Sequence, residues 1–433
     1  MDAATIGLIG LAVLIVFLFS RMPVGFVMAL VGLVGFSTVV SFESGLRILA
    51  KDFFGIFGSY SLTVVPLFIL MGQVAFHAGI SRRLFDTAYK LLGSLPGGLG
   101  IATIGACAGF AAICGSTNAS VATMATVALP EMKRYRYSLA LSTGAVAAGG
   151  SLGVLIPPSV IFIVYGIATE QSIGKLFAAG ILPGVLLATC FALTIFVWVK
   201  IRPQDAPRGE RTTLRQKVVA LSGVGETLIL FLLVMGGLFI GFFTPTEAGA
   251  IGAGGTIILG VARGRLKWQR FWQAIMESTR ISCMVLVIVA GATVFGHFMA
   301  ITRIPYTAAN WIAELPLPNY AIMGIIVFIY LIGGCFMDSL AMVLLTVPIV
   351  FPLVTALGFD PIWFGVIIVL ITEMGVITPP VGINVYVVSG IARDVPLEVI
   401  FKGAFFFLFA ILTTIALLMI FPQIALFLPS LMR

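Results

Sequence analysis

This sequence has little that titrates and nothing that reads as a soluble domain. Only 10% of its 433 residues are charged. The longest polar stretch, Arg202 to Lys217, falls well short of a domain, which starts near about 50 residues. Two histidines, His77 and His297, are too few for a catalytic or metal cluster and are read as hydrogen-bonded core residues. Five cysteines (107, 114, 190, 283 and 335) all sit in apolar segments without CxxC spacing, which excludes a disulfide framework and a thiolate zinc site. There is no GxxxxGKS/T phosphate loop, no HExxH, and no GxSx serine with a plausible histidine partner, so neither an ATP-driven pump nor a common hydrolase is expected. The net charge of +8 does not point to nucleic acid, because Lys and Arg lie in loops between apolar runs, as the positive-inside rule expects.

What is present suits hydrocarbon. The chain is 60% hydrophobic with a mean hydropathy of +1.16. Apolar runs of about 20 residues follow one another, each long enough to cross a bilayer as a helix, so an all-α polytopic membrane protein is expected. No basic run precedes residues 5–20, which read as a retained first span rather than a signal peptide. A second span at 22–40 is joined to it through Arg21-Met22-Pro23. Residues 42–58 carry Arg47 and Lys51 among phenylalanines and read as interfacial. A span at 62–79 leads to Ser81–Leu92, a basic amphipathic stretch suited to the membrane surface. Further spans are expected at 178–199, 226–242, 246–262, 281–300 and 404–421. Arg265 to Trp272 reads as another interfacial helix, and 301–318, with Arg303, Trp311 and Glu314, as a second surface helix. The GxxG and GxxxG patterns near 32–35 and 250–254 are read as packing surfaces.

Two kinds of interruption break this pattern. Gly98–Ile113 and Asn118–Pro130 flank Gly115-Ser116-Thr117, and each piece is too short to span. Basic residues lie at both outer ends, so the pair reads as a re-entrant hairpin (98–130) with a polar tip. A second hairpin (320–352) flanks Met337-Asp338-Ser339. The other interruption is Pro-Pro inside a span: Gly153 to Pro158 within 137–168, and Gly375 to Pro380 within 361–391. A Pro-Pro pair breaks a helix, because each ring removes a donor and clashes with the preceding turn.

These features repeat. Adding 222 carries Pro23, Pro96, Pro130, Pro157 and Pro158 onto Pro245, Pro318, Pro352, Pro379 and Pro380, Gly153 onto Gly375, and Ala119 onto Ala341. Ser116 lands on Asp338 and Thr117 on Ser339. Each copy then holds five spans plus a hairpin. Five is odd, so the second copy is expected upside down. With both termini outside, 20 of the 25 Lys and Arg fall on the cytoplasmic side, which agrees. Inverted repeats with broken helices meeting at mid-membrane are the build of a secondary transporter.

At each hairpin tip one half-helix ends in free carbonyls and the next begins with free N–H groups. Carbonyls with Ser, Thr and Asn oxygens suit a hard monovalent cation, and positive helix starts suit an anion. One Na⁺ is expected among Gly115, Ser116, Thr117, Asn118, Gly153, Ile156 and Pro157. A second is expected among Met337, Asp338, Ser339, Gly375, Thr378 and Pro379. The substrate would lie between them, against Ser116, Thr117, Pro158, Ser159, Ser339, Pro380, Gly382 and Asn384. Asp338 is open to three readings: cation ligand, proton carrier, or cap of the helix starting at Ser339. Glu373 is expected to brace Asp338 or to be a hydrogen-bonded core acid, and Glu247 to stabilise the first turn of its helix.

Gly115-Ser116-Thr117, Ile156-Pro157-Pro158-Ser159, Thr244-Pro245-Thr246-Glu247-Ala248 and Pro379-Pro380-Val381-Gly382-Ile383-Asn384 together resemble the large membrane subunit (DctM type) of tripartite ATP-independent periplasmic transporters, over essentially the whole chain. Thr117 stands where that family's pattern has a second serine, so a hydroxyl is kept while tip packing differs. The resemblance implies Na⁺ coupling and an elevator mechanism in a bacterial inner membrane. It implies a small four-helix membrane subunit and a periplasmic substrate-binding protein that delivers a small organic anion, a dicarboxylate or sialic acid among them. The scaffold would be 1–60 and 225–280, the moving body 98–170 and 320–392. Segments 61–97 and 281–319 would connect the two, 171–224 would supply a span and the basic loop, and 393–433 the last span. A proton-coupled or standalone organic-anion transporter of the same superfamily is the alternative.

Overall fold

A computed structural model describes residues 2–18, 22–207, 209, 212–313 and 316–432. The expected joint at Arg21 and the surface-helix residue Glu314 lie outside the described residues. All regular structure among the described residues is helical. Five helices are long and apolar enough to cross a membrane, or seven if each sharply bent pair is one span. Large apolar side chains such as Phe54, Leu214 and Ile240 are among the most exposed in the molecule. That inversion of the soluble pattern suits a bilayer as solvent, because a lipid-facing helix gains nothing by hiding its side chains.

Helices approach closely where glycine permits it. Val24–Val39 lies against the long helix Trp268–Thr302, and a Cβ on Gly32 would meet the Phe295 backbone nitrogen at 2.7 Å. A Cβ on Gly291 would collide with the Gly25 carbonyl. Packing of this kind replaces the hydrophobic drive that lipid does not supply. The glycines at 32 and 35 thus pack as their spacing suggested, against Phe295 and Phe298.

Both expected hairpins are present. Gly98–Cys114 and Thr117–Arg134 form the first, Asn319–Gly334 and Ser339–Ala356 the second. The two second arms are each 18 residues long and start 222 residues apart. The first broken span runs Leu139–Gly150, Leu152–Leu155 and Val160–Ala168; the second runs Pro361–Gly375 and Ile383–Ile391. The bonds Pro157–Pro158 and Pro379–Pro380 are both cis.

Three boundaries differ from expectation by more than five residues. The interfacial stretch at Trp268 and the span at 281–300 are one continuous helix, Trp268–Thr302, of 35 residues. Arg270, Glu277 and Arg280 interrupt its apolar pattern without interrupting its hydrogen bonding. The span expected at 226–242 begins at Leu214, capped by Thr213 with Gln216 in a capping box, and passes through a π turn at Leu232–Gly236 to Phe239. The last span begins at Leu397 rather than 404. The surface stretches form helices Ile80–Leu92 and Ile304–Ala313. The histidines are not core residues of the simple kind: His77 faces Glu277 at 3.1 Å, and His297, half-exposed, faces Asp52 at 3.3 Å.

Candidate functional site

The tip of each hairpin is a reversal that its sequence dictates. Gly115 ends Gly98–Cys114 with φ of +65°, a left-handed conformation that a Cβ would strain. Ser116 then caps the second arm, its hydroxyl accepting from Ala119 N. In the other tip Asp338 does the same work more fully, one carboxylate oxygen accepting from Leu340 N and Ala341 N at 3.0 Å each. The Ser-for-Asp exchange recurs away from the tips: Ser138 caps the first broken span and Asp360 the second. Capping therefore accounts for the carboxylate at 338 on local grounds.

Each tip is seated on its break by backbone. Val160 N donates to Gly115 O at 3.4 Å, and Val381 N donates to Cys335 O at 3.3 Å. A Cβ on Gly153 would lie 2.7 Å from both Ser116 O and Ser120 Oγ, and one on Gly375 would fall on the Gly334 backbone. The glycines paired by the 222-residue offset thus each press on a hairpin beside its tip, Gly153 on the start of the second arm and Gly375 on the end of the first.

Both tips open into one cavity of about 380 Å³. Gly115, Ser116, Thr117 and Asn118 line it from the first hairpin, and Asp338 and Ser339 from the second. Asn384 and Glu373 line it from the second broken span. The opposite wall is Ile69 and Gln73 of Val64–His77 with Ile281, Met284 and Val285 of the long helix. No Lys or Arg lines it among the described residues.

Other sequence-predicted residues lie outside this cavity. Gly153, Pro157, Pro158 and Gly375 are buried behind the tips, and the Ile156 side chain packs against Gly184. Ser159 is buried and caps Val160–Ala168. Met337 packs on the core, and the Thr378 hydroxyl donates to Met374 O at 2.7 Å. Pro379 and Pro380 are exposed, and Gly382 abuts Phe401. The first broken span thus meets the cavity through Val154, Val160 and Ile161 only, and the second brings the polar pair Glu373 and Asn384 with Val376 and Ile383.

Glu373 is the residue whose importance the sequence understated. Its side chain is buried and accepts hydrogen bonds from Thr117 Oγ1 at 3.0 Å and Ser339 Oγ at 2.8 Å, one hydroxyl from each tip. It does not brace Asp338 directly. Asn384, fully buried, donates to Ala147 O at 3.0 Å, while its Oδ1 has no partner among the described residues. Further ties join the halves: Tyr165 OH to Pro361 O at 2.7 Å, and Lys133 to Asp394 at 2.7 Å. The Asp394 carboxyl is held below its usual range by the hydrogen bond from Lys133. Glu247 forms a capping box with Thr244, the structural role expected of it.

A polytopic helical bundle whose hairpin tips and helix breaks meet at one polar cavity is the architecture of a membrane transport protein. Comparison with known proteins gives the particular family. Residues 11–424 match the family model described as tripartite ATP-independent periplasmic transporter, DctM component, and the chain belongs to that family. It is 36% identical to the C4-dicarboxylate TRAP transporter large permease protein DctM of Pseudomonas aeruginosa, over 92% of this chain and 93% of that one. It is 32% identical to the sialic acid TRAP transporter large permease protein SiaM of Vibrio cholerae, over 96% of each. The fold is also that of the YdaH transporter of Alcanivorax borkumensis, with a TM-score of 0.64 at 14% identity over 87% of this chain and 88% of that one.

Proposed function

We propose that this permease subunit carries out Na⁺-coupled uptake of a small organic anion across a bacterial inner membrane. In this reading a periplasmic binding protein delivers the anion, and a small membrane subunit stands beside the permease. The carrying observation is that both hairpin tips share one cavity lined by hydroxyl residues, Asn118, Asn384 with its Oδ1 unpartnered, and two carboxylates, with no basic side chain among the described residues. Oxygen donors of that kind fit a hard cation. Ser116 with the Gly115 and Gly153 backbone would hold one ion, and Ser339 with the Gly375 and Thr378 backbone a second. The ion supplies the positive charge that the lining lacks, so an anion can approach the helix starts at Thr117 and Ser339. The names of relatives support a carboxylate substrate of dicarboxylate or sialic acid type. A cavity of about 380 Å³ is at the small end of ligand sites, which suits such an acid.

The moving body would be 98–170 with 320–392, and the scaffold 1–60 with 225–280. The cross-ties Thr117–Glu373, Tyr165–Pro361 and Lys133–Asp394 support a single body made from both halves. Inverted halves, an elevator motion and periplasmic termini complete the proposal. Uptake by proteoliposomes holding both membrane subunits and the loaded binding protein tests it. Uptake is expected only with an inward sodium gradient, and uptake that ignores sodium refutes it. The two cavity carboxylates favour proton coupling as the second reading, which the same assay separates by replacing the sodium gradient with a pH gradient.

A further inference from the structure

We infer that Glu373 couples the two half-sites to each other, acting as a strut that makes occupancy of one hairpin tip felt at the other. The inference rests on the two-cation reading above and adds a mechanism to it. Thr117 and Ser339 are the equivalent first residues of the two second arms, 222 positions apart in sequence. Their hydroxyls end on the two oxygens of one carboxylate, Thr117 on Oε2 and Ser339 on Oε1. All three residues are largely buried, at 8%, 6% and 1% exposure, and each has an edge on the shared cavity. Ser151, beside the first break, also adjoins Glu373 and Asn384. A shift of either helix start therefore pulls on a group that the other helix start also holds.

The geometry has a second consequence. Glu373 lies near the end of Pro361–Gly375, two residues before the close approach of Gly375 to Gly334. The strut is thus anchored on the same broken span that seats the second tip. Binding at the first tip is transmitted into the second half through a fixed side chain, not through a flexible loop. Cooperative sodium binding is the expected signature, and loss of cooperativity the expected result of removing the strut.

Glu373 is a positioning residue in this account, and its test separates position from charge. Sodium titrations of thermal stability would be run on the purified full chain for the wild type, E373Q, E373A and the apolar, similar-sized E373M. The wild type is expected to titrate with a Hill coefficient clearly above 1, approaching 2 for two coupled sites. E373Q keeps a hydrogen-bonding group at both positions and is expected to retain that cooperativity. E373A and E373M are expected to fall to a coefficient of about 1 while still responding to sodium. If E373A does not fold, E373M carries the comparison. A stability cycle of T117V and S339A, expected to be non-additive with Glu373 present and additive in E373M, reads the strut without sodium. Unchanged cooperativity in E373M overturns the inference alone, as does an additive cycle in the wild-type background. Cooperativity lost in E373Q as fully as in E373M overturns the strut in favour of charge. A wild type that does not respond to sodium overturns the two-cation reading itself, and the inference with it.

Discussion

Asp338 separates two physical roles that one side chain can play, and the separation is measurable. One of its oxygens accepts from Leu340 N and Ala341 N at 3.0 Å each. Removing a cap of this kind costs about 1 kcal/mol, up to about 2. Loss of the negative charge at a helix start adds about 0.3–1 kcal/mol. D338A is therefore expected to lose about 1.5–2.5 kcal/mol. Asn caps as well as Asp, so D338N should lose only the charge part, under about 1 kcal/mol. D338S, which copies Ser116 of the other half, should fall between them. At about 2–4 °C per kcal/mol or somewhat less in a chain this long, D338A melts roughly 3–8 °C below the wild type and D338N within about 3 °C of it. The assay is thermal unfolding in detergent, with a sodium titration alongside. On the capping account the sodium concentration for half-saturation moves less than about twofold in D338N. A rise of about tenfold, the signature of about 1.4 kcal/mol of lost ligation, refutes it, as does a D338N that melts as low as D338A.

Four other outcomes follow from the same geometry. Gly153→Ala places a methyl 2.7 Å from Ser116 O and Ser120 Oγ, and is expected to cost about 1–3 kcal/mol in unfolding and to slow uptake; normal stability and uptake would show that the tip is not seated there. Glu226→Ala removes a carboxylate, 8% exposed, that pairs with Arg83, Arg263 and Arg265, and is expected to lower unfolding stability by about 3 kcal/mol, with little effect expected if the cluster is solvated. The depressed carboxyl of Asp394 means that the Lys133–Asp394 link is fully present above the usual aspartate range and is lost as pH falls below that range through the lowered folded value; the pair is exposed, so K133A should shift melting only slightly at pH 7, and by progressively less as the medium is made more acid. The proposal of inverted halves puts Lys133 and Arg303 on opposite faces, and labelling of cysteines placed there from one side only should reach one and not the other; labelling of both from one side refutes it.

The hairpins and breaks were legible because their signals are local. Proline pairs, a glycine that must turn left-handed and hydroxyls in an apolar run each carry their meaning within a few residues. The offset of 222 then aligned them, and it reproduces the start of both second arms. What could not be read was continuity and partnership. Charges at Arg270, Glu277 and Arg280 look like a membrane boundary, yet a helix passes through them because its backbone bonds ignore side-chain polarity. The same holds for Arg215 and Lys217 at the start of Leu214–Phe231. Glu373 meets Thr117 across 256 residues, a contact that no spacing rule predicts. Thr378 was expected among the groups around the second ion, and its hydroxyl is turned onto its own helix end at Met374 O.

The long helix Trp268–Thr302 works as a depth gauge. At 1.5 Å per residue its 35 residues reach about 52 Å, more than the about 40–45 Å of a whole bilayer with its headgroups. Trp268 and Trp272, exposed and stacked 6.5 Å apart, mark one end with the side chains that settle at headgroup level. Counting from Trp268, the cavity wall at Ile281 to Val285 comes about 20–25 Å along the rod, which is half the thickness of the bilayer. A single rigid element thus carries both the surface mark and the wall of the cavity. Shortening or lengthening the stretch between Trp272 and Ile281 by one turn would move the cavity about 5 Å toward one face, and so change which side of the membrane it more easily opens to.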